Sequence, residues 1–146
     1  WGKRGGRKNA IGISRGGRTT KVHALVDVIG RPLRLVLTPG NTSDIRGADL
    51  LVADAVRMKR MIADRGYDAN QLRATLKANN TIPVIPGRRN RKRPIQYDER
   101  RYKDRWRVEA MFCRLKDFRR VATRYDKLAR NFLSAVHLAA AIAFWL

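Results

Sequence analysis

Two short runs of alternating polarity open the hydrophobic pattern of the chain, Thr20–Val28 (TKVHALVDV) and Leu33–Thr38 (LRLVLT). Alternation with a period of two predicts strands with one buried face, and the second run keeps it more strictly than the first. Ile29-Gly30-Arg31-Pro32 between them predicts a hairpin turn. Pro39-Gly40-Asn41 ends the second run, and Ser43 or Asp44 is placed to cap a helix that reaches about Arg57. Arg60–Ala63 (RMIA) is a short apolar run that predicts a buried strand ending in the turn Asp64-Arg65-Gly66-Tyr67. Asp68 is placed to cap the next helix, to about Asn80. Thr81–Pro86 (TIPVIP) predicts a further short strand, and its two prolines assign it an edge or irregular position. Tyr97 to about Val121 predicts one long helix, and the apolar stretch Phe132–Leu146 a buried one. No internal repeat interrupts this order, which predicts an α/β layer arrangement with helices covering a mixed sheet.

Charge modifies this picture at both ends of the chain. There are 33 Lys and Arg against 12 Asp and Glu in 146 residues, a formal net charge of +21. Such an excess attracts polyanions, nucleic acid first among them, but says nothing about chemistry. A ribosomal protein has the same balance. Residues 1–21 are basic and glycine-rich with no acid before Asp27, which predicts a flexible basic arm ahead of a domain spanning 22–146. Arg88–Arg93 (RRNRKR) holds five basic residues in six and predicts a solvated loop. At 44% hydrophobic residues, the chain has enough apolar material for one core.

Other classes are excluded or disfavoured by composition. The single cysteine, Cys113, excludes an internal disulfide framework and a zinc site of several thiolates, and it fits a reducing cytoplasm. The N-terminus is Gly- and Arg-rich, unlike a secretory signal. Phe132–Leu146 is 15 residues long, short of the roughly 20 needed to cross a bilayer, so no membrane role is expected. Within it, His137 is expected to be a satisfied core histidine. A chain that starts at Trp1 is expected to be part of something longer.

The long helix carries the most specific pattern. Tyr102, Arg105, Glu109 and Lys116 are spaced three, four and seven apart. At about 100° per residue their directions are roughly 0, −60, −20 and −40 degrees, one narrow stripe. Val108, Met111, Leu115 and Phe118 project from another side, the expected core face. The charged face of an ordinary amphipathic helix has the same spacing. A carboxylate flanked by cations also suits a site where Glu109 holds a divalent metal and the cations hold phosphate oxygens. Asp64 stands where a buried strand runs out, the place at which α/β sheets bind ligands. An ordinary turn residue would stand there equally well.

The spacing Tyr102-x-x-Arg105-x-x-x-Glu109-x-x-x-x-x-x-Lys116 resembles the Y-R-E-K signature of DDE-superfamily transposases of bacterial insertion sequences. The segments SRGGRTTKVHALVD, LTPGNTSD, ADRGYDA, RLKDFRRVATRYDKLA and FLSAVHLAAA resemble that group too, so the likeness runs from about residue 10 to the end. It implies a ribonuclease-H-like mixed sheet flanked by helices and a catalytic Asp, Asp, Glu triad. Residue by residue, the second Asp corresponds to Asp64 and the Glu to Glu109, both metal ligands. Tyr102 and Arg105 take supporting roles and Lys116 a DNA contact. The first Asp maps onto no residue. Only two strands precede the Ser43 helix where such a sheet has three, so the first strand is expected to be missing, upstream of Trp1. Asp27, late in what would be the second strand, is a substitute third ligand to be tested.

The resemblance further implies Mg²⁺ or Mn²⁺, two ions about 4 Å apart, with in-line displacement and no covalent enzyme intermediate. Its partners are DNA, both transposon ends and target, and a second copy of the protein on DNA. No small-molecule substrate is expected, and the location is the bacterial cytoplasm, at the nucleoid. Arg88, Arg89, Arg91, Lys92 and Arg93, with the N-terminal arm, are expected to grip the DNA backbone, contacts that position without specifying sequence. With one ligand missing, the chain is expected to bind DNA but to cleave it weakly or not at all. A ribonuclease-H-like nuclease and a non-catalytic DNA-binding remnant are the alternatives.

Overall fold

Gly17–Val26 (β2) and Pro32–Pro39 (β3) pair antiparallel, with His23 opposite Val36 and Leu25 opposite Arg34. Their turn is built on Asp27. Its carboxylate accepts the backbone N–H of Ile29 at 3.0 Å and of Arg31 at 2.9 Å, and the Arg31 guanidinium at 2.7 Å. Gly30 takes φ 91°, a left-handed value that a side chain disfavours. The Asp27 carboxyl lies below its ordinary range. Burial alone would raise it, but the hydrogen bonds from Arg31 and Ile29 and the charge of Arg31 outweigh that effect. Asp27 is therefore a turn-former whose oxygens are already engaged, which corrects its candidacy as a third metal ligand.

The computed structural model describes residues 9–53 and 57–146. Within them a strand that polarity does not reveal, Gly12–Ser14 (β1), pairs antiparallel with the start of β2, Gly12 facing Thr19. Gly17, at φ 96°, lets the chain double back. The glycine-rich text has no alternation because its pairing depends on a tight turn and not on a buried face. The expected arm over 1–21 is thus paired in a sheet from Gly12 onward, and its first eight residues lie outside the described ones.

The chain divides into two compact units, Trp1–Ser43 with Arg107–Leu146, and Asp44–Trp106. In the first, helix α6 (Ala129–Phe144) packs on β3. Phe132, Val136, Ala139 and Ala140 recur at helical spacing and are buried with Leu35, Met111 and Leu115. Val108 packs against this cluster, as the helical face predicts, and Phe118 packs there too from beyond the end of that helix. His137 does not sit in the core as expected. His137 is exposed, whereas His23 is buried and shares a 2.8 Å hydrogen bond with the Thr38 hydroxyl. His137 follows Val136 directly, so when Val136 faces the core the neighbouring side chain points about 100° away.

In the second unit, α1 (Asp44–Val52), β4 (Arg60–Ile62), α2 (Asn70–Ala78) and β5 (Ile82–Val84) follow in order. β4 and β5 pair in parallel, Met61 facing Pro83, with α2 in the connection between them. The core gathers Ala48, Val52, Met61, Ala63, Leu72, Leu76 and Ile85. Leu72 is 1% exposed, so Leu72→Ala should lower unfolding stability by about 3 kcal/mol, read from the urea midpoint. An unchanged midpoint would show that this core contributes little. The expected end of α1 near Arg57 falls partly on residues 54–56, outside the described ones.

Two helix expectations are corrected. Asp68 does not cap α2. Ala69 occupies that position without a side-chain bond, and Asp68 is drawn into ion pairs. The long helix Tyr97–Val121 is interrupted. It comprises α3 (Glu99–Tyr102), a 3₁₀ turn (Lys103–Arg105), α4 (Trp106–Lys116) and α5 (Arg119–Ala122). Asp98 caps α3 by accepting the Arg101 N–H at 3.0 Å. α4 ends because Phe118 turns extended, φ −83° and ψ 111°, and packs on the core of its unit. Among the described residues the strands form two separate small sheets, the antiparallel β1-β2-β3 in the first unit and the parallel pair β4-β5 in the second, each with helices in its own unit. Among the described residues, no helix is long and apolar enough to cross a membrane.

Candidate functional site

Asp64 follows β4, whose pairing continues as the Ala63 N–H bonds the Val84 carbonyl at 3.3 Å. Its extended backbone caps a 3₁₀ turn (Arg65–Tyr67), and one carboxylate oxygen accepts the Gly66 N–H at 2.8 Å. Asp64 is half-buried and oriented by this bond. Asp44, at the start of α1, reaches the same place. A Cβ added to Gly66 would meet Asp64 Oδ1 at 2.9 Å and Asp44 Oδ2 at 2.9 Å. The Tyr67 hydroxyl is pushed up to about 12, first by burial and then by the charges of Asp44 and Asp64. The approach of Asp44 to Asp64 is not legible in the sequence, where Asp44 is only a candidate helix cap. The shared glycine was the available sign, but nothing in the spacing links residues 44 and 66.

The basic loop is tied to the neighbouring acid. The Asp68 side chain is fully buried and accepts Arg73 Nε at 2.8 Å, Arg91 Nε at 2.5 Å and Arg91 Nη2 at 2.7 Å. The backbone N–H of Arg88 adds a fourth bond at 2.7 Å. Burial would raise the Asp68 carboxyl, but the bonds from Arg91, Arg88 and Arg73 hold it far below the ordinary carboxylate range. The Arg88 guanidinium meets the Gly66 carbonyl at 3.2 Å. Of the five cations expected to grip DNA, Arg88 and Arg91 therefore shape the loop, while Arg89, Lys92 and Arg93 are exposed. The loop is not uniformly solvated, because a buried carboxylate needs compensating charge and the nearest basic run supplies it.

Glu109 and Lys116 lie seven residues apart in α4, which places them about 20° apart on one face. Both line an open groove of ≈ 970 Å³ in the first unit, with Arg18, Cys113 and Lys127 around them. Arg124 also borders it, but its guanidinium is committed to the Asn9 carbonyl at 2.7 Å and to the Thr20 hydroxyl. The uniform step that put Tyr102 and Arg105 on this stripe fails at Lys103–Arg105, where a 3₁₀ turn advances about 120° per residue. The same-face argument stands for Glu109 and Lys116 and not for the other two. Tyr102 is half-buried and meets the Tyr97 ring edge-on, centroids 5.5 Å apart. Asp64, Tyr102 and Arg105 belong to the second unit, Glu109 and Lys116 to the first. Among the described residues, no group of three or more His, Cys, Asp or Glu side chains is clustered for a metal.

Residues 1–144 match the family described as a transposase DDE domain. A protein of Brucella ovis named as a transposase for insertion sequence element IS6501 is 42% identical over 132 residues, covering 88% of this chain and 98% of the relative. One of Burkholderia cepacia named as a transposase for IS402 is 29% identical over 157 residues, covering 99% of this chain and 71% of the relative. No solved structure matches the chain.

Proposed function

This chain belongs to the DDE-domain transposases of insertion sequences, and on that premise we propose that it carries Asp64 and Glu109 as metal-holding carboxylates for DNA strand cleavage and strand transfer. The fold we assign is ribonuclease-H-like, with the catalytic portion over 22–146. The observation that carries the reading is Asp64. It sits at the end of a paired strand, held by the Gly66 N–H, with a second carboxylate beside it. Oxygen donors of this kind suit a hard divalent cation, Mg²⁺ or Mn²⁺. When bound, divalent ions supply activation of the attacking oxygen and charge stabilisation at the leaving one. Lys116, on the face and in the groove of Glu109, is assigned a phosphate oxygen near the reacting end. Tyr102 and Arg105 are assigned supporting roles, and a second protein copy on DNA and a place at the nucleoid complete the proposal. End-cleavage assays with Mg²⁺ and insertion-sequence DNA, on a protein in which a first catalytic Asp accompanies this sequence, test it: cleaved and joined products support it, cleaved product alone indicates a nuclease, and binding without either indicates a non-catalytic DNA-binding protein.

The cations divide the DNA-binding work. Arg89, Lys92 and Arg93 are exposed and suited to the phosphate backbone. Replacing all three with Ala should weaken binding to any duplex and flatten the plot of log affinity against log salt, by about 0.9 for each phosphate that is no longer neutralised. A slope unchanged from the parent would remove this loop from the DNA interface.

A further inference from the structure

We propose that the groove of the first unit holds an unpaired nucleotide of a DNA strand, its base stacked on the Tyr125 ring and its phosphates met by Arg18, Lys116 and Lys127. The proposal rests on DNA as the substrate of the chain and not on either carboxylate as a metal ligand.

Three observations support it, all within one unit. First, Tyr125 lines the groove and is 60% exposed, and among the described residues neither its ring nor its hydroxyl has a partner. Its loop, between α5 and α6, is nevertheless tied down on both sides. The Arg124 guanidinium donates to the carbonyls of Asn9 at 2.7 Å, Asp126 at 2.8 Å and Lys127 at 3.0 Å, and Arg120 pairs with Asp126 at 3.2 Å. An aromatic ring held outward on an anchored loop loses little freedom when a base stacks on it. Second, the groove joins two chemistries. Val22, Phe112 and Val121 are only partly buried and leave apolar surface along it, beside the exposed Arg18, Lys116 and Lys127. A duplex presents phosphates and base edges but hides the faces of its bases, so it has nothing to offer the apolar wall. An unpaired nucleotide presents a flat apolar face and an anionic phosphate together. The ≈ 970 Å³ of the groove lies within the ~300–1,000 Å³ of sites that enclose small organic groups. Third, the charge balance selects the occupant. Of the two acids that line the groove, Asp126 is paired with Arg120, and Glu109 is outnumbered by the three exposed cations. A second copy of the chain, at a net charge of +21, would bring more cations to this rim, whereas a DNA strand brings the complementary charge.

Fluorescence anisotropy with the 146-residue chain tests the proposal on a labelled blunt duplex and on the same duplex carrying a short single-stranded tail. The parent should bind the tailed duplex more tightly. Tyr125→Ala should weaken binding of the tailed duplex by about fivefold or more, the effect of losing one base stack, and leave the blunt duplex unchanged. Tyr125→Phe keeps the ring and should bind both like the parent. A tail of abasic sugar-phosphates should erase the difference between parent and Tyr125→Ala, because only the phosphates remain. Tyr125 lies in no core cluster, so the urea midpoint of both variants should match the parent. Equal affinity of parent and Tyr125→Ala for the tailed duplex, or an equal loss on tailed and blunt DNA, would overturn the stacking and leave DNA as the substrate. No binding of either DNA by the parent would overturn both. Sedimentation that changes in Tyr125→Ala without DNA would assign the groove to a second copy of the chain and overturn the proposal.

Discussion

In a transposase that also carries a first catalytic Asp, Glu109→Gln should lower transposition of a marked element by at least about 100-fold, with DNA binding retained. Glutamine keeps the size and polarity of the side chain but cannot present an anionic oxygen to a cation. Loss of groups that merely support a metal ligand already costs 10–100-fold, and loss of a ligand exceeds that. Glu109 is exposed on α4 and lies in no core cluster, so the substitution should leave the fold intact. Asp64→Asn should behave alike, and gel-shift affinity for end DNA should stay within a few-fold of the parent for both. Parent-like transposition in the Glu109→Gln element would remove this residue from the chemistry and favour a non-catalytic role for the chain.

Asp68→Asn should cost about 3 kcal/mol of unfolding stability. The amide cannot balance Arg73 and Arg91, whose side chains are 11% and 24% exposed, and the loop from Arg88 to Arg93 loses its anchor. The acid range supplies an independent reading. The folded-state value of Asp68 lies below its ordinary one, so its contribution is fully present above the unfolded carboxyl range near ~4. It is lost as pH falls from there toward the depressed folded value. Stability of the parent should therefore decline more steeply on acidification than that of Asp68→Asn, the two urea midpoints converging at low pH. Parallel curves would show that the pair with Arg91 contributes little.

Local pattern made much of the fold legible. The alternation in LRLVLT marked β3, RMIA marked β4, and the helical spacing of Met111 and Leu115 marked the core face of α4. Each depends on neighbours within a few residues, where sequence and geometry are tied by helical or strand period. β1 escaped because its pairing depends on a glycine turn. The break at Phe118 escaped because the gain from burying that ring is set by the rest of the unit, not by helix propensity.

By itself the sequence determined the family, through a spaced signature and shared segments, and the candidate carboxylates Asp64 and Glu109 with it. Tertiary structure decided how the charges are used. Asp27 reads from the sequence as a strand residue and Asp68 as a helix cap, yet one closes a hairpin and the other is buried against two arginines. Asp44 joins Asp64 across the width of one glycine. The approach of Asp44 to Asp64 and the pair of Asp68 with Arg91 join residues about 20 apart in the chain, and a carboxylate's role follows from which groups packing brings to it, which no local period encodes.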